Sequence, residues 1–154
     1  MDIQETNIKG SIIMSHYFVR LLGTEARGRI INITSAAGPF FMPGTDSYGL
    51  SKLVQVQMQR YIVATHPNVF AASLQPGVIL TRITRPAHVR FAKDTHALAG
   101  GTAVWLASEE ADFMNGRYMD ANWSVDELLE RKDEIVNNGL LQMHLKGDFT
   151  NGLA

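Results

Sequence analysis

The residues best equipped for chemistry are Tyr48 and Lys52, with Ser35 thirteen positions upstream of the tyrosine. A spacing of four puts Tyr48 and Lys52 on one face of any helix that carries them, with Cβ atoms about 5–6 Å apart. An ammonium beside a phenol favours the phenolate, which makes the pair a usable acid and base near neutral pH. A serine hydroxyl brought in from a separate strand can hold a carbonyl or alcohol oxygen. Together the three groups suit proton transfer coupled to hydride transfer at carbon.

Such groups need a frame, and the hydrophobic pattern supplies one. Residues 5–22 keep an apolar face at helical spacing through Ile8, Ile12, Tyr17 or Val19, and Leu22, and Gly23 is a stop. The β-branched run from Arg29 to Thr34 predicts a strand that delivers Ser35. Gly38, Pro39, Pro43 and Gly44 make 36–45 a loop. Asp46 or Ser47 can cap a long helix to Thr65, broken by His66, Pro67 and Asn68. Residues 69–74 predict the next strand, closed by Pro76 and Gly77. The segment 78–95 is irregular and polar, and it carries Arg82, Arg85, Arg90 and Lys93. That cluster reads first as a solvated loop, with a grip on an anionic substrate or phosphate as the alternative. A helix over 96–108, a turn at Asn115 and Gly116, a strand over 117–121 and a helix over 125–136 complete the pattern. Apolar strands alternating with helices predict an α/β fold with a parallel sheet covered on both sides.

Composition narrows the function classes. The 154 residues suit one domain, and 45% hydrophobic with 19% charged residues predicts an ordered core. A net charge of −1 gives no support to nucleic acid or an anionic membrane as partner. With no cysteine, disulfides, thiolate metal sites and cysteine nucleophiles are excluded. The five histidines lack metal-ligand spacing, so no metal site is expected. The start lacks a signal-peptide pattern and no apolar run approaches the roughly 20 residues of a membrane span, so a cytoplasmic location is the expectation. Asn32 and Asn122 open glycosylation sequons, which without a secretory signal are not expected to be used. Trp105 and Trp123 read as packing residues and the methionines as gap fillers. No repeat or linker divides the chain.

Several motifs, in order, resemble those of the short-chain dehydrogenase/reductase family. Asn7, Ile8, Lys9 and Gly10 are similar to its Asn-x-x-Gly; Asn32, Ile33, Thr34 and Ser35 to the strand ending in its serine. Tyr48 and Lys52 match Tyr-x-x-x-Lys, and the run Pro76, Gly77, Val78, Ile79, Leu80, Thr81 matches Pro-Gly-x-x-x-Thr. Residues 103–128, with Trp105 to Glu110 and Asn122 to Leu128, resemble the C-terminal part of a fungal branch of the family. The resemblance implies a partial Rossmann-like, doubly wound sheet and an NAD(P)-dependent oxidoreductase acting on a small carbonyl or alcohol substrate. It implies Tyr48 as general acid/base, Lys52 as its electrostatic partner and holder of the nicotinamide ribose, and Ser35 on the substrate oxygen. It implies that Asn7 helps seat Lys52 and a relay water. It further implies that Tyr48, Lys52, Thr81 and the backbone of Pro76, Gly77, Val78 and Ile79 contact NAD or NADP.

One departure is at the start. The family opens with a strand and a Gly-x-x-x-Gly-x-Gly turn that cradles the pyrophosphate at a helix N-terminus, and this sequence has no such turn. The expectation is therefore a fold truncated at the N-terminus. Residues 1–147 would correspond to the C-terminal, catalytic half, with 148–154 a loose tail. Two alternatives follow: cofactor-independent proton transfer by the same residues, or a non-catalytic oligomerisation partner. Helices 5–22 and 46–65 are expected to pair in a homo-oligomer or with a full-length relative.

Overall fold

Val69–Gln75 is buried at every position. A strand covered on both faces belongs in the middle of a sheet with helices above and below. A computed structural model of the chain, describing residues 2–84 and 86–145, has this arrangement. A π-helical segment Glu5–Gly10 runs into α1 (Ser11–Leu22), followed by β1 (Gly28–Ile33), α2 (Asp46–Thr65) and β2 (Val69–Gln75). Then come α3 (His96–Leu106), β3 (Tyr118–Asp120), α4 (Val125–Glu130) and α5 (Lys132–Asn137). The strands form one parallel sheet in the order β1-β2-β3.

The period of two along β2 assigns its faces. Phe70, Ala72 and Leu74 join Leu106, Met114, Met119, Leu128 and Ile135 in the larger core, under α3 to α5. Val69 and Ala71 face the other way, against Ile62 and Met58 of α2 and Val19 and Leu22 of α1. Trp105 and Trp123 pack at the margin of the larger core, as packing residues should. The α1–α2 layer covers the sheet but is itself uncovered: Met14, Tyr17, Leu21 and Tyr61 are exposed, Leu21 at 88%. β1 pairs with β2 on one side and, among the described residues, with nothing on the other. A groove of about 520 Å³ runs beside it, lined by Met14, Phe18, Ile30 and Ile31 among others. Arg29 fastens β1 to the opposite layer. Its guanidinium lies 4.5 Å from the Phe70 ring centroid, donates to the Leu106 carbonyl at 3.3 Å and pairs with Asp112.

Differences from the sequence expectations are local. The 5–22 helix is present, with its first six residues wound as a π-helix. α2 begins at Asp46, but neither Asp46 nor Ser47 caps it; Thr45 holds the cap position, and its hydroxyl donates to the Met42 carbonyl instead, at 2.7 Å. The 78–95 segment contains a 3₁₀ turn, Pro86–Phe91, and a second such turn, Glu109–Met114, follows α3. The expected 125–136 helix is two helices broken at Arg131. Arg85 and the expected 148–154 tail lie outside the described residues. Among the described residues, no helix is long and apolar enough to cross a membrane, and no group of three or more acidic or histidine side chains could hold a metal ion.

Candidate active site

The sheet register fixes where a site can lie. Ile33 pairs with Leu74 and Leu74 with Met119, so the three strands end side by side. Ligands of open parallel sheets bind beyond those carboxyl ends. The loops leaving there contain Ser35, the 76–81 run and Asn122.

Two close approaches set the loop after β1 against α2. Thr34 donates its amide to the Leu74 carbonyl at 2.8 Å and its hydroxyl to the Lys52 carbonyl at 3.1 Å. Gly49 lies under Ala37, and a Cβ there would stand 2.9 Å from the Ala37 carbonyl oxygen. Ser35 is thereby held, half-buried, beside the first turns of α2. Its Oγ accepts from the Ala37 amide at 3.3 Å, and among the described residues its own hydrogen is free to donate.

Tyr48, 37% exposed, opens the site to solvent. Lys52 lies below it, buried, with Nζ 5.8 Å from the Tyr48 ring centroid. Nζ donates to the Ile33 carbonyl and to Gln55 Oε1, both at 2.9 Å. Burial lowers the Lys52 pKa from the ordinary lysine value. Among the described residues neither Ser35 nor Lys52 hydrogen-bonds the Tyr48 hydroxyl.

Asn7 reaches this cluster indirectly. Its Nδ2 donates to Ser51 Oγ at 3.0 Å, and Ser51 Oγ donates to the Tyr48 carbonyl at 2.7 Å. Its main-chain carbonyl accepts from Gln55 Nε2 at 2.9 Å. Gln55 therefore spans Asn7 and Lys52. Sequence reasoning missed Gln55, although its place three residues after Lys52 puts it on the same helix face.

The 76–81 run forms the neighbouring wall. Gly77 sits at φ 89°, a left-handed conformation glycine tolerates. The Asp94 carboxylate accepts the Val78 amide at 2.6 Å and the Asn122 side chain at 3.5 Å, while the Asp94 amide donates back to the Val78 carbonyl at 3.2 Å. Asp94 was also missed. Ile79 bridges to Asp94 as a short parallel pair. Thr81 donates its amide to Thr84 Oγ1 at 2.9 Å in an exposed turn. Pro76, Gly77, Val78, Ile79 and Thr81 make no hydrogen bond to Ser35, Tyr48 or Lys52 among the described residues. Arg82, Arg90 and Lys93 are exposed, and Arg90 lies over its neighbour Phe91, in keeping with a solvated loop.

Known proteins share this fold. A family model described as short chain dehydrogenase matches residues 1–90. The chain is 31% identical over 150 residues to the short chain dehydrogenase mpl6 of Monascus purpureus, covering 92% of this chain and 50% of that protein. It is 32% identical over 154 residues to the short chain dehydrogenase pgmD of Aspergillus terreus, covering 90% of this chain and 48% of that protein. Its fold resembles that of acetoin dehydrogenase YohF from Salmonella typhimurium, with TM-score 0.65 and 21% identity over 77% of this chain and 52% of that one. It equally resembles a gluconate 5-dehydrogenase from Burkholderia cenocepacia J2315 in complex with NADP and tartrate, with TM-score 0.65 and 20% identity over 76% and 52% of the two chains. The chain spans about half the length of the curated relatives it matches. A family model matched over more than half of its residues, on a parallel α/β sheet of the same kind, makes this chain a member of the short-chain dehydrogenase family.

Proposed function

We propose that this chain carries the proton-transfer centre of an NAD(P)-dependent oxidoreductase acting on a carbonyl or alcohol group. The observation that carries the reading is the buried Lys52 ammonium fixed 5.8 Å from the Tyr48 ring, with Ser35 on the adjoining loop. Tyr48 gives the proton to, or takes it from, the substrate oxygen. Ser35, whose hydrogen is free, donates to that oxygen and orients it. Lys52 supplies fixed positive charge next to the oxygen on which negative charge develops.

The residues present fit one end of a nicotinamide cofactor. Lys52 has one N–H beyond its two bonds, Thr81 and Val78 are exposed, and the main chain bends away at Gly77. These would hold the nicotinamide and its ribose; bound there, the cofactor supplies or accepts the hydride. They fit a pyrophosphate poorly, because the Val78 amide is already taken by the Asp94 carboxylate, which repels an anion.

The test is titration of the purified chain with NADH and NADPH, followed by turnover on a panel of small ketones and secondary alcohols. Tyr48→Phe is expected to lower kcat by about 10²–10⁴-fold. Undiminished turnover by Tyr48→Phe would overturn the role given to the hydroxyl. The reading includes a second copy of the chain against α1 and α2, supported by the exposed apolar side chains of that layer.

A further inference from the structure

Lys52 is a buried cation with neutral partners. Among the described residues it makes no ion pair; around Nζ stand the Ile33 carbonyl from β1, the Gln55 amide from its own helix, and Tyr48 as the titratable neighbour. Gln55 is itself 4% exposed. Its Oε1 accepts from Lys52 Nζ at 2.9 Å, while its Nε2 donates to the Asn7 carbonyl at 2.9 Å and to Ser11 Oγ at 2.7 Å.

The chemistry of the partners allows one orientation of that amide. A flipped amide would set NH₂ against an ammonium and a carbonyl against a carbonyl, so both ends would repel. Each polar atom of the Gln55 side chain has a partner.

We propose that Gln55 is a positioning residue: its amide bolts the Lys52 ammonium to the Asn7–Ser11 segment and determines which Lys52 N–H is left for a ligand. The proposal rests on the reading of Lys52 as a site residue. A side chain anchored at both ends fixes the ammonium. Two of the three N–H groups are committed, one to β1 and one to Gln55, and the third is the site's remaining donor.

The test follows Lys52 itself by NMR of lysine side chains labelled with ¹³C and ¹⁵N, assigned with Lys52→Arg. Gln55→Glu keeps an acceptor at Nζ and adds charge, so the Lys52 titration midpoint is expected to rise. Gln55→Met removes the acceptor of the charged form, so it is expected to fall, each by about tenfold in proton affinity. Opposite signs from one position are the signature; a general loosening of the core would move both the same way. Midpoints unmoved, or moved together, would overturn the proposal. A second measurement needs no variant. In the unmutated chain the Gln55 Nε2 protons should exchange with solvent at least about tenfold more slowly than those of an exposed glutamine; free exchange overturns the proposal as well. Turnover lost or kept in Tyr48→Phe bears on the catalytic reading and leaves this assignment untouched.

Discussion

Two side chains tie stability to pH in opposite senses. The Lys52 pKa is lowered by burial from 10.5, its value in the unfolded chain. Between the folded value and 10.5 the unfolded chain holds more protons, so the Lys52 contribution to stability grows as pH rises and is lost as pH falls. Urea unfolding across that window should show wild type gaining on Lys52→Met with rising pH. Tyr118 behaves in reverse. Among the described residues its hydroxyl is buried without a partner, and burial, then the nearby Asp120 carboxylate, push its pKa well above the usual 10.0. Its contribution is present below pH 10 and is lost as pH climbs beyond. Tyr118→Phe removes an unpartnered polar group, so urea unfolding at pH 7 should show a gain of about 1 kcal/mol; above pH 10 the variant should escape the wild type's alkaline loss. That Tyr48 and Lys52 share one helix and that Ser35 follows a strand was legible in sequence, because a spacing of four and a β-branched run survive any packing detail. Gln55 and Asp94 were not. Each matters because another segment arrives next to it, and one sequence does not display that approach.

At the scale of elements, the site depends on how closely the loop after β1 approaches α2. Gly49 makes that approach feasible, since the atom facing a new Cβ is a main-chain oxygen that cannot swing aside. Gly49→Ala should destabilise the fold by about 1–3 kcal/mol in urea unfolding and displace the amide resonances of residues 35–38. α2 was legible because a turn-rich loop precedes Asp46 and His66 with Pro67 follows Thr65; β2 was legible as an unbroken apolar run. The break between α4 and α5 was not. Leu128 and Ile135 are both buried and seven residues apart, the spacing of a continuous helix, so periodicity passes over a single kinked residue. Arg131 occupies the break and bonds Glu127 on one side and Glu134 on the other, at 3.1 and 2.9 Å. The Pro86–Phe91 turn did carry a signal, a proline at a first helical position, masked by the polar residues around it.

On the scale of the molecule, the two faces of the sheet differ. The α3–α5 face buries Leu106, Met114 and Met119 completely, while the α1–α2 face turns apolar side chains outward and, among the described residues, β1 has an unpaired side. Such edges and patches pair with something or aggregate. Sedimentation at micromolar concentration is expected to show an assembly that Leu21→Glu weakens by at least about tenfold, the removal of a single buried leucine being enough for that. A stable monomer of the unmutated chain would sink the second-copy reading. The fold class was legible because alternating strands and helices leave few topologies. The unequal coverage of the two faces was not, because it depends on which helix faces find partners.

The amide of Gln55 joins two regions that otherwise have separate business. At one end are Asn7 and Ser11, at the root of the helix on whose outer face a second copy is proposed; at the other is the ammonium proposed to meet a ligand. A rotation of α1 that lengthened either Nε2 bond would reach Nζ through the same amide. Thermodynamic linkage makes any such coupling symmetric: the factor by which assembly tightens ligand binding is the factor by which ligand tightens assembly. With both proposals in place, one glutamine would let the Lys52 end register whether a second copy is seated on α1.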